Sequence, residues 1–324
     1  MTRHVLITAA GSIARRHAHN LREQQPQARI SVVTRAPVQR LADWPPGVQA
    51  VASFDEGMAA APDAVMICSV SSAHGPELFA TLAAGLPAFV EKPLLTSPVE
   101  LAQLEASLAR VHPACAVGCN LRFLPSLQRL RAALQQGVIG NLARAHLEVG
   151  QWLPDWRPGR PVQESYSADA ARGGGVVFDL VHEIDAALWL LGDLDLAAAV
   201  GGNFSNLALR APDTTVALLR TSSGSPVTVS LDYVSRQPVR RYVFVGDAGT
   251  LLWDLQLGRL RLVRPDGEQE LAGAPADFAL AQTYKAELGE WLAAIVRGAA
   301  PATSALGSGV HTARLMLAIA KAAA

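Results

Sequence analysis

The chain is short of cysteine, of lysine, of net charge and of long apolar runs, and each shortage argues against a class of function. Three cysteines (Cys68, Cys115, Cys119) in 324 residues are too few, and odd in number, for a disulfide scaffold. They fit a reducing compartment. Basic and acidic side chains balance at 28 each, which argues against a protein whose main task is holding nucleic acid, because counterion release needs a dense basic face. No uninterrupted apolar run reaches the roughly 18 residues of a membrane helix. The richest stretch, 176–191, is broken by Asp179, His182, Glu183 and Asp185. The apolar residues 5–8 meet Arg15, Arg16 and His17 too soon to form the core of a secretory signal. The expectation is a cytoplasmic protein with neither nucleic-acid nor membrane partners. What the chain does have is apolar material: half its residues are hydrophobic and 17% are charged, which supplies a large core and excludes disorder. The length favours two domains.

Five short apolar runs, 5–8, 30–34, 64–68, 88–91 and 114–118, have the texture of strands buried on both faces. Helix-length segments lie between them. Ser53-Phe-Asp-Glu56 and Ser97-Pro-Val-Glu100 are capping boxes, and Pro76 opens a segment that ends at Ala84 before Gly85. Alternating strands and helices imply right-handed crossovers and a parallel sheet. Residues 1–122 are therefore expected to form a doubly wound α/β nucleotide-binding domain. Beyond residue 122 the texture changes. A helix over 126–136 stops at Gly137, a strand covers 142–152, and a loop rich in Pro, Trp and Arg runs over 153–173. A single helix is predicted from about 176 to 191, closed by Gly192. Strand-like runs follow at 197–201, 214–220, 227–233, 242–245, 250–254 and 259–263, with turn signals between them and no helices. They predict, within a second domain of residues 123–324, a large open, mostly antiparallel sheet. Helices over 278–297 and 308–323 close the chain. An uncovered sheet face predicts homo-oligomerisation as a dimer or tetramer.

The chemistry-bearing residues cluster at the ends of these strands. After the first strand comes Ala9-Ala10-Gly11-Ser12-Ile13-Ala14, where a dinucleotide fingerprint wants Gly-x-Gly-x-x-Gly/Ala. Gly11 supplies the position where the backbone must approach the phosphates, and Ala14 satisfies the third; Ala9 departs from the first. An ordinary strand-to-helix turn would read the same way. The second strand ends in Val33-Thr34-Arg35 with no acid for a ribose 2′-hydroxyl. A hydroxyl followed by arginine suits a 2′-phosphate, hence NADP rather than NAD, unless Arg35 is only a solvated charge. The fifth run ends in Glu91-Lys92-Pro93, and ligands of doubly wound sheets bind beyond the carboxyl ends of the strands. Lys92 is one of three lysines in an arginine-biased chain. Lysine, unlike arginine, can give up its proton, so proton transfer competes here with a structural Glu91–Lys92 ion pair. In Gly173-Gly-Gly-Val-Val-Phe-Asp179-Leu-Val-His182-Glu183, Asp179 and His182 would share one face of the predicted helix. A carboxylate beside an imidazole orients it and raises its basicity, as a general acid/base requires. The alternative is a core histidine held by hydrogen bonds. None of these patterns calls for a metal.

Taken in order, the glycine turn with Ser12-Ile13, the run Ile67-Cys-Ser-Val-Ser-Ser-Ala-His74, Glu91-Lys92-Pro93, Gly118-Cys-Asn120-Leu-Arg122-Phe123 and the Asp179/His182 segment resemble the Gfo/Idh/MocA oxidoreductases. The closing Tyr284-Lys-Ala-Glu287 and Pro301-Ala-Thr-Ser304 extend the likeness over essentially the whole chain. The resemblance implies an N-terminal Rossmann domain and a C-terminal α/β domain whose open sheet often forms an oligomer interface. It implies hydride transfer between nicotinamide and a hydroxyl-bearing carbon of a sugar, cyclitol or nucleotide sugar. By position, Gly11, Ser12, Ile13, Thr34, Arg35, Ser69, His74, Glu91, Lys92 and Asn120 would form the cofactor site. Lys92 would touch the substrate hydroxyl, His182 would give or take the proton, and Asp179 would bind substrate or orient the histidine. The segments around Gln151 and Ser165 are similar to one subgroup, which implies Arg122, Gln151, Arg157 and Tyr166 as substrate ligands. Three departures stand out: Ala9 for glycine, Val70 where proline is frequent, and a histidine three rather than four residues after Asp179, where the fourth is Glu183.

The leading expectation is therefore an NADP- or NAD-dependent oxidoreductase acting on a carbohydrate-like alcohol or ketone. Ala9 and Val70 motivate a second, a dinucleotide-binding sensor or partner protein without catalysis. A third keeps the same site but uses a tightly held NAD for redox-assisted elimination or glycoside cleavage.

Overall fold

A computed structural model describes residues 4–35, 43–110, 114–159 and 161–323. The chain divides into two units, one of residues 1–120 with 281–311, the other of residues 121–280 with 312–324. The first contains strands β1 (His4–Thr8), β2 (Arg29–Val33), β3 (Val48–Val51), β4 (Ala64–Ile67), β5 (Ala88–Val90) and β6 (Ala116–Val117). All pair in parallel, in the order β3-β2-β1-β4-β5-β6. Helices α1 (Ser12–Gln24), α2 (Phe54–Ala59), α3 (His74–Ala83) and α4 (Pro98–Ser107) make the crossovers. The order reverses direction beside β1, so the carboxyl ends of β1 and β4 flank the switch point at which doubly wound sheets take their ligands. Both capping serines act as expected: Ser53 accepts from the Glu56 N–H at 3.1 Å and Ser97 from the Glu100 N–H at 3.4 Å.

The expected strand list lacked β3. Its four residues include Gln49 and lie at the sheet edge, so they carry no continuous apolar run. The first unit ends near the expected boundary at residue 122, and residues 281–311 return to it. The reason is α8 (Leu280–Arg297), whose Leu288, Trp291 and Leu292 complete the apolar core around Val5, Ile7, Met66 and Phe89. The Trp291 indole N–H donates to the Ala114 carbonyl at 2.9 Å, and the Val117 N–H to Ser304 O at 2.9 Å.

The second unit holds α5 (Pro125–Gln135), β7 (Leu142–Gly150), the short α6 (Val176–Asp179), α7 (His182–Leu191) and seven further strands: β8 (Leu194–Gly202), β9 (Thr214–Thr221), β10 (Pro226–Asp232), β11 (Val239–Gly246), β12 (Thr250–Asp254), β13 (Arg259–Arg264) and β14 (Gly267–Ala272). The sheet order is β14-β13-β12-β11-β7-β10-β9-β8. Only β7 and β10 pair in parallel; the rest is antiparallel. Along β9, residues alternate strictly between buried and outward. The buried face joins the core with Leu147, Val229, Tyr242 and Trp253, to which α9 (Leu306–Ala322) adds Leu315, Met316 and Ile319. The polar edge strand β14 went unpredicted because nearly all its side chains face solvent. Among the described residues, no helix is long and apolar enough to cross a membrane, and no His, Cys, Asp and Glu side chains cluster as metal ligands.

Candidate active site

In the first unit, the turn between β1 and α1 opens the helix N-terminus. Ala9 adopts φ 61°, in the left-handed region that favours glycine, and so swings the chain into Gly11. Gly11 is the N-cap, with extended backbone and no side-chain cap. Nothing lies within 4 Å of where its Cβ would stand, and Gly11 and Ser12 are exposed. A 13-residue helix therefore begins with no side-chain cap over its first amides and with open space beside Gly11. That is the arrangement that receives a pyrophosphate. Ile13 is half-buried beside them. At the end of β2, the Thr34 N–H donates to Val51 O at 2.9 Å while Arg35 is exposed.

His74 lies between the segments that follow β4 and β5. Its ring is almost wholly buried, with Nδ1 2.8 Å from Pro93 O and Nε2 3.1 Å from Ser69 O. Burial pulls its pKa down, against the raising effect of these carbonyls and of the Glu91 charge. His74, expected at the cofactor site, here faces two backbone carbonyls. The Ser69 hydroxyl donates to Glu77 Oε2 at 2.8 Å. Asn120 is similarly buried, its amide nitrogen donating to Thr283 Oγ1 at 2.8 Å. Glu91 is 7% exposed. Its Oε1 lies 2.6 Å from His17 Nε2, and its Oε2 accepts the Lys92 N–H at 3.2 Å. Burial alone would raise the Glu91 pKa, but the His17 hydrogen bond first, then the charges of His17 and Lys92, hold it below the usual carboxylate value. Lys92 follows, half-buried, at the carboxyl edge of the sheet.

In the second unit the triple glycine does what its composition allows. Gly173 and Gly175 take φ 76° and 115°, and a Cβ on Gly174 would sit 2.0 Å from the Tyr166 carbonyl oxygen. That close approach brings the Tyr166 loop against Asp179. The carboxylate, 3% exposed, accepts the Tyr233 hydroxyl at 2.7 Å, with the Tyr166 phenol close enough to feel its charge. Burial, followed by the Asp179 charge, pushes both phenols well above their ordinary range. The expected single helix over 176–191 is corrected here. Leu180 and Val181 interrupt it, so Asp179 closes α6 while His182 opens α7. The spacing of three therefore does not put both side chains on one helical face.

Glu183 is fully buried, with the Tyr242 hydroxyl donating to it at 2.9 Å and Arg240 Nε 2.8 Å away. It belongs to that interior network, whereas the neighbouring His182 is only half-buried. Arg122 is 4% exposed and grips Asp185 with both arms of its fork, Nε at 2.9 Å and Nη2 at 2.5 Å, while Thr312 donates to the same carboxylate at 2.8 Å. Arg122, expected in the substrate pocket, is thus engaged inside the unit by Asp185. Arg157 is exposed, lies 5.4 Å over the Tyr166 ring and donates to Ser165 Oγ at 3.2 Å. A small cleft of about 90 Å³ opens beside it, lined by Leu153, Pro154, Trp156 and Val162. Trp156 packs edge-on against Tyr233, and Trp152 is covered by Arg236 at 3.5 Å. Gln151 is half-buried, its N–H donating to Asp232 O at 3.2 Å. Two residues escaped sequence reasoning: Tyr233, in an otherwise ordinary strand ending, and His17, 74 residues from the glutamate it binds.

Residues 3–119 match the family described as "Oxidoreductase family, NAD-binding Rossmann fold", and residues 127–252 match the Gfo/Idh/MocA C-terminal domain. The chain belongs to the Gfo/Idh/MocA oxidoreductase family. Among its relatives is an inositol 2-dehydrogenase of Mycolicibacterium gilvum, 30% identical over 310 residues, covering 91% of this chain and 83% of that one. Among solved structures, a myo-inositol dehydrogenase from Corynebacterium glutamicum superposes with a TM-score of 0.77 at 24% identity, over 100% of this chain and 97% of the other. A levoglucosan dehydrogenase in complex with NADH gives a TM-score of 0.83 at 16% identity, over 100% and 97%. As a Gfo/Idh/MocA member the chain is an NAD-binding oxidoreductase of a dehydrogenase class that acts on CH–OH groups.

Proposed function

We propose that this protein is a nicotinamide-dependent dehydrogenase of a cyclitol or sugar, taking a hydride and a proton from one secondary alcohol to leave a ketone. The observation that carries the reading is that the uncapped start of α1 and Lys92 stand at the carboxyl edge of one parallel sheet. The bound nicotinamide supplies the hydride acceptor. Gly11, Ser12 and Ile13 hold the pyrophosphate through backbone N–H groups. Lys92 donates a hydrogen bond to the reacting hydroxyl oxygen and favours its loss of a proton. His182 receives that proton and returns it in the reverse reaction. Asp179, held by the Tyr233 hydroxyl, binds a neighbouring substrate hydroxyl. The activity named for the relatives, on inositol and on levoglucosan, supports a polyhydroxylated ring as substrate.

The exposed Arg35, with no acid at the end of β2, supports acceptance of NADP; a neighbouring structure holding NADH supports NAD. The open sheet face, where Val200, Val216 and Leu218 are exposed, supports a homodimer through that face, and light scattering showing a monomer at assay concentration would remove this element. The test of function is absorbance at 340 nm with NAD+ and NADP+ against myo-inositol, levoglucosan and UDP-N-acetylglucosamine. Turnover with at least one of these, abolished by Lys92→Met with cofactor binding retained, is the expected result. Full turnover in Lys92→Met would remove the lysine from the mechanism. Cofactor binding with no turnover on any alcohol would favour the non-catalytic sensor, the reading that the strained Ala9 motivates.

A further inference from the structure

We infer that His17 is a positioning residue for Lys92: a buried imidazole on α1 that pins the Glu91 carboxylate, which in turn pins the backbone N–H from which Lys92 leaves the sheet. The inference rests on the reading that Lys92 handles the substrate hydroxyl.

The His17 ring is wholly buried. It lies edge-on to Phe89, with centroids 5.1 Å apart, and to Tyr284 at 6.2 Å. Its Nδ1 makes no hydrogen bond among the described residues. Among the described residues the ring's polar contact is therefore Nε2 to Glu91 Oε1, at 2.6 Å. An ionised carboxylate can only accept, so Nε2 carries the hydrogen. A site that needed only volume between two aromatic rings would be filled by leucine or phenylalanine without burying an imidazole. The second carboxylate oxygen turns back onto its own chain and accepts the Lys92 N–H at 3.2 Å. Space is kept for that turn: a Cβ on Gly118 would press on the Glu91 carboxyl at 3.2 Å.

The consequence is mechanical. The lysine side chain is long and has many rotamers, so the direction in which it starts decides how often its ammonium reaches the reacting oxygen. A carboxylate clamped at both oxygens fixes that direction. His17 also sits on the helix whose first amides would hold the cofactor phosphates, so α1 would carry both the phosphate-binding end and the clamp.

The test compares His17→Phe, His17→Gln, Glu91→Gln and Lys92→Met. Glutamine keeps an N–H donor at about the reach of Nε2, whereas phenylalanine keeps only the shape. Because the chain has three lysines, reductive methylation with 13C-formaldehyde gives three lysine signals, and the one lost in Lys92→Met belongs to Lys92. In cofactor-free protein, His17→Phe should shift the Lys92 signal and leave those of Lys285 and Lys321 in place. It should lower kcat about 10- to 100-fold, the usual cost of losing a partner that orients a reacting group, with KM and NAD+ affinity by tryptophan fluorescence within about threefold of the parent. His17→Gln should restore both the signal and most of kcat. An unmoved Lys92 signal with unchanged kcat in His17→Phe overturns the inference, as does a Gln variant as impaired as the Phe one. Should His17→Phe fail to fold, Glu91→Gln decides by the same two readouts. Full turnover in Lys92→Met would instead sink the broader functional reading, while a dead Lys92→Met beside an unaffected His17→Phe would sink this inference alone.

Discussion

Ala9→Gly should make the protein more stable and its cofactor turn more compliant. Ala9 holds φ 61° at the entry to the phosphate-binding turn. An L-residue in that region costs roughly 1–2 kcal/mol, because its Cβ crowds the following carbonyl oxygen. Glycine avoids that cost but loses about 0.5–1 kcal/mol through the larger freedom of its unfolded chain. The difference predicts a gain of about 0.5–1 kcal/mol, or about 2 °C in melting temperature for a unit of this size. Ala9→Val should move the other way and by more, since β-branching adds to the crowding. Urea denaturation gives the free energies, and fluorescence titration with NAD+ shows whether relaxing the turn also tightens binding. A glycine variant less stable than the parent, with valine tolerated, would mean that the strain assigned to Ala9 does not exist and that its departure from the fingerprint is harmless.

Other outcomes follow from the buried polar groups. Arg122→Met should leave Asp185 with Thr312 but without its cation and cost about 3 kcal/mol in urea denaturation, with substrate KM nearly unchanged in the folded fraction; a tenfold rise in KM at full stability would return Arg122 to the substrate site. Tyr233→Phe removes a hydroxyl from the Asp179 carboxylate at 2.7 Å, which predicts a loss of about 1–3 kcal/mol and a fall in kcat of at least tenfold, measured by denaturation and steady-state kinetics. Wild-type kinetics in that variant would show that Asp179 needs no phenol. For pH, burial lowers the His74 pKa despite its carbonyl neighbours, so folding disfavours its protonation. Its contribution is fully present above about pH 6.5, the unfolded value, and is lost as pH falls towards the depressed folded value. Melting temperatures of the parent and of His74→Gln should therefore approach each other between pH 7.5 and 5.5. A gap that widens on acidification would reverse the sign. Glu91, also depressed, acts only lower, below about pH 4.5.

Much of the first unit was legible because its strands are buried on both faces and announce themselves as continuous apolar runs. Capping serines and terminal glycines mark the helices between them by local hydrogen bonding that needs no distant partner. The edge strands β3 and β14 were hidden for the converse reason: half in water, they carry the composition of loops. The break between α6 and α7 escaped as well, since neither Leu180 nor Val181 is a helix breaker by type.

Within the candidate site, the sequence by itself determined which residues bear chemistry: a glycine turn after a strand, a rare lysine at a strand end, an aspartate and a histidine after three glycines. These are properties of short segments, set by backbone conformation and side-chain type. Which of their polar atoms are already occupied was decided only by tertiary structure, because the partners are far away in the chain. His17 holds Glu91 across 74 residues, Tyr233 holds Asp179 across 54, and Arg122 holds Asp185 across 63. A buried charge must find a partner wherever the fold supplies one, and no local pattern records where that is. Glu183 and His182 are neighbours in the sequence, yet packing sends one into the Arg240–Tyr242 network and leaves the other half in solvent.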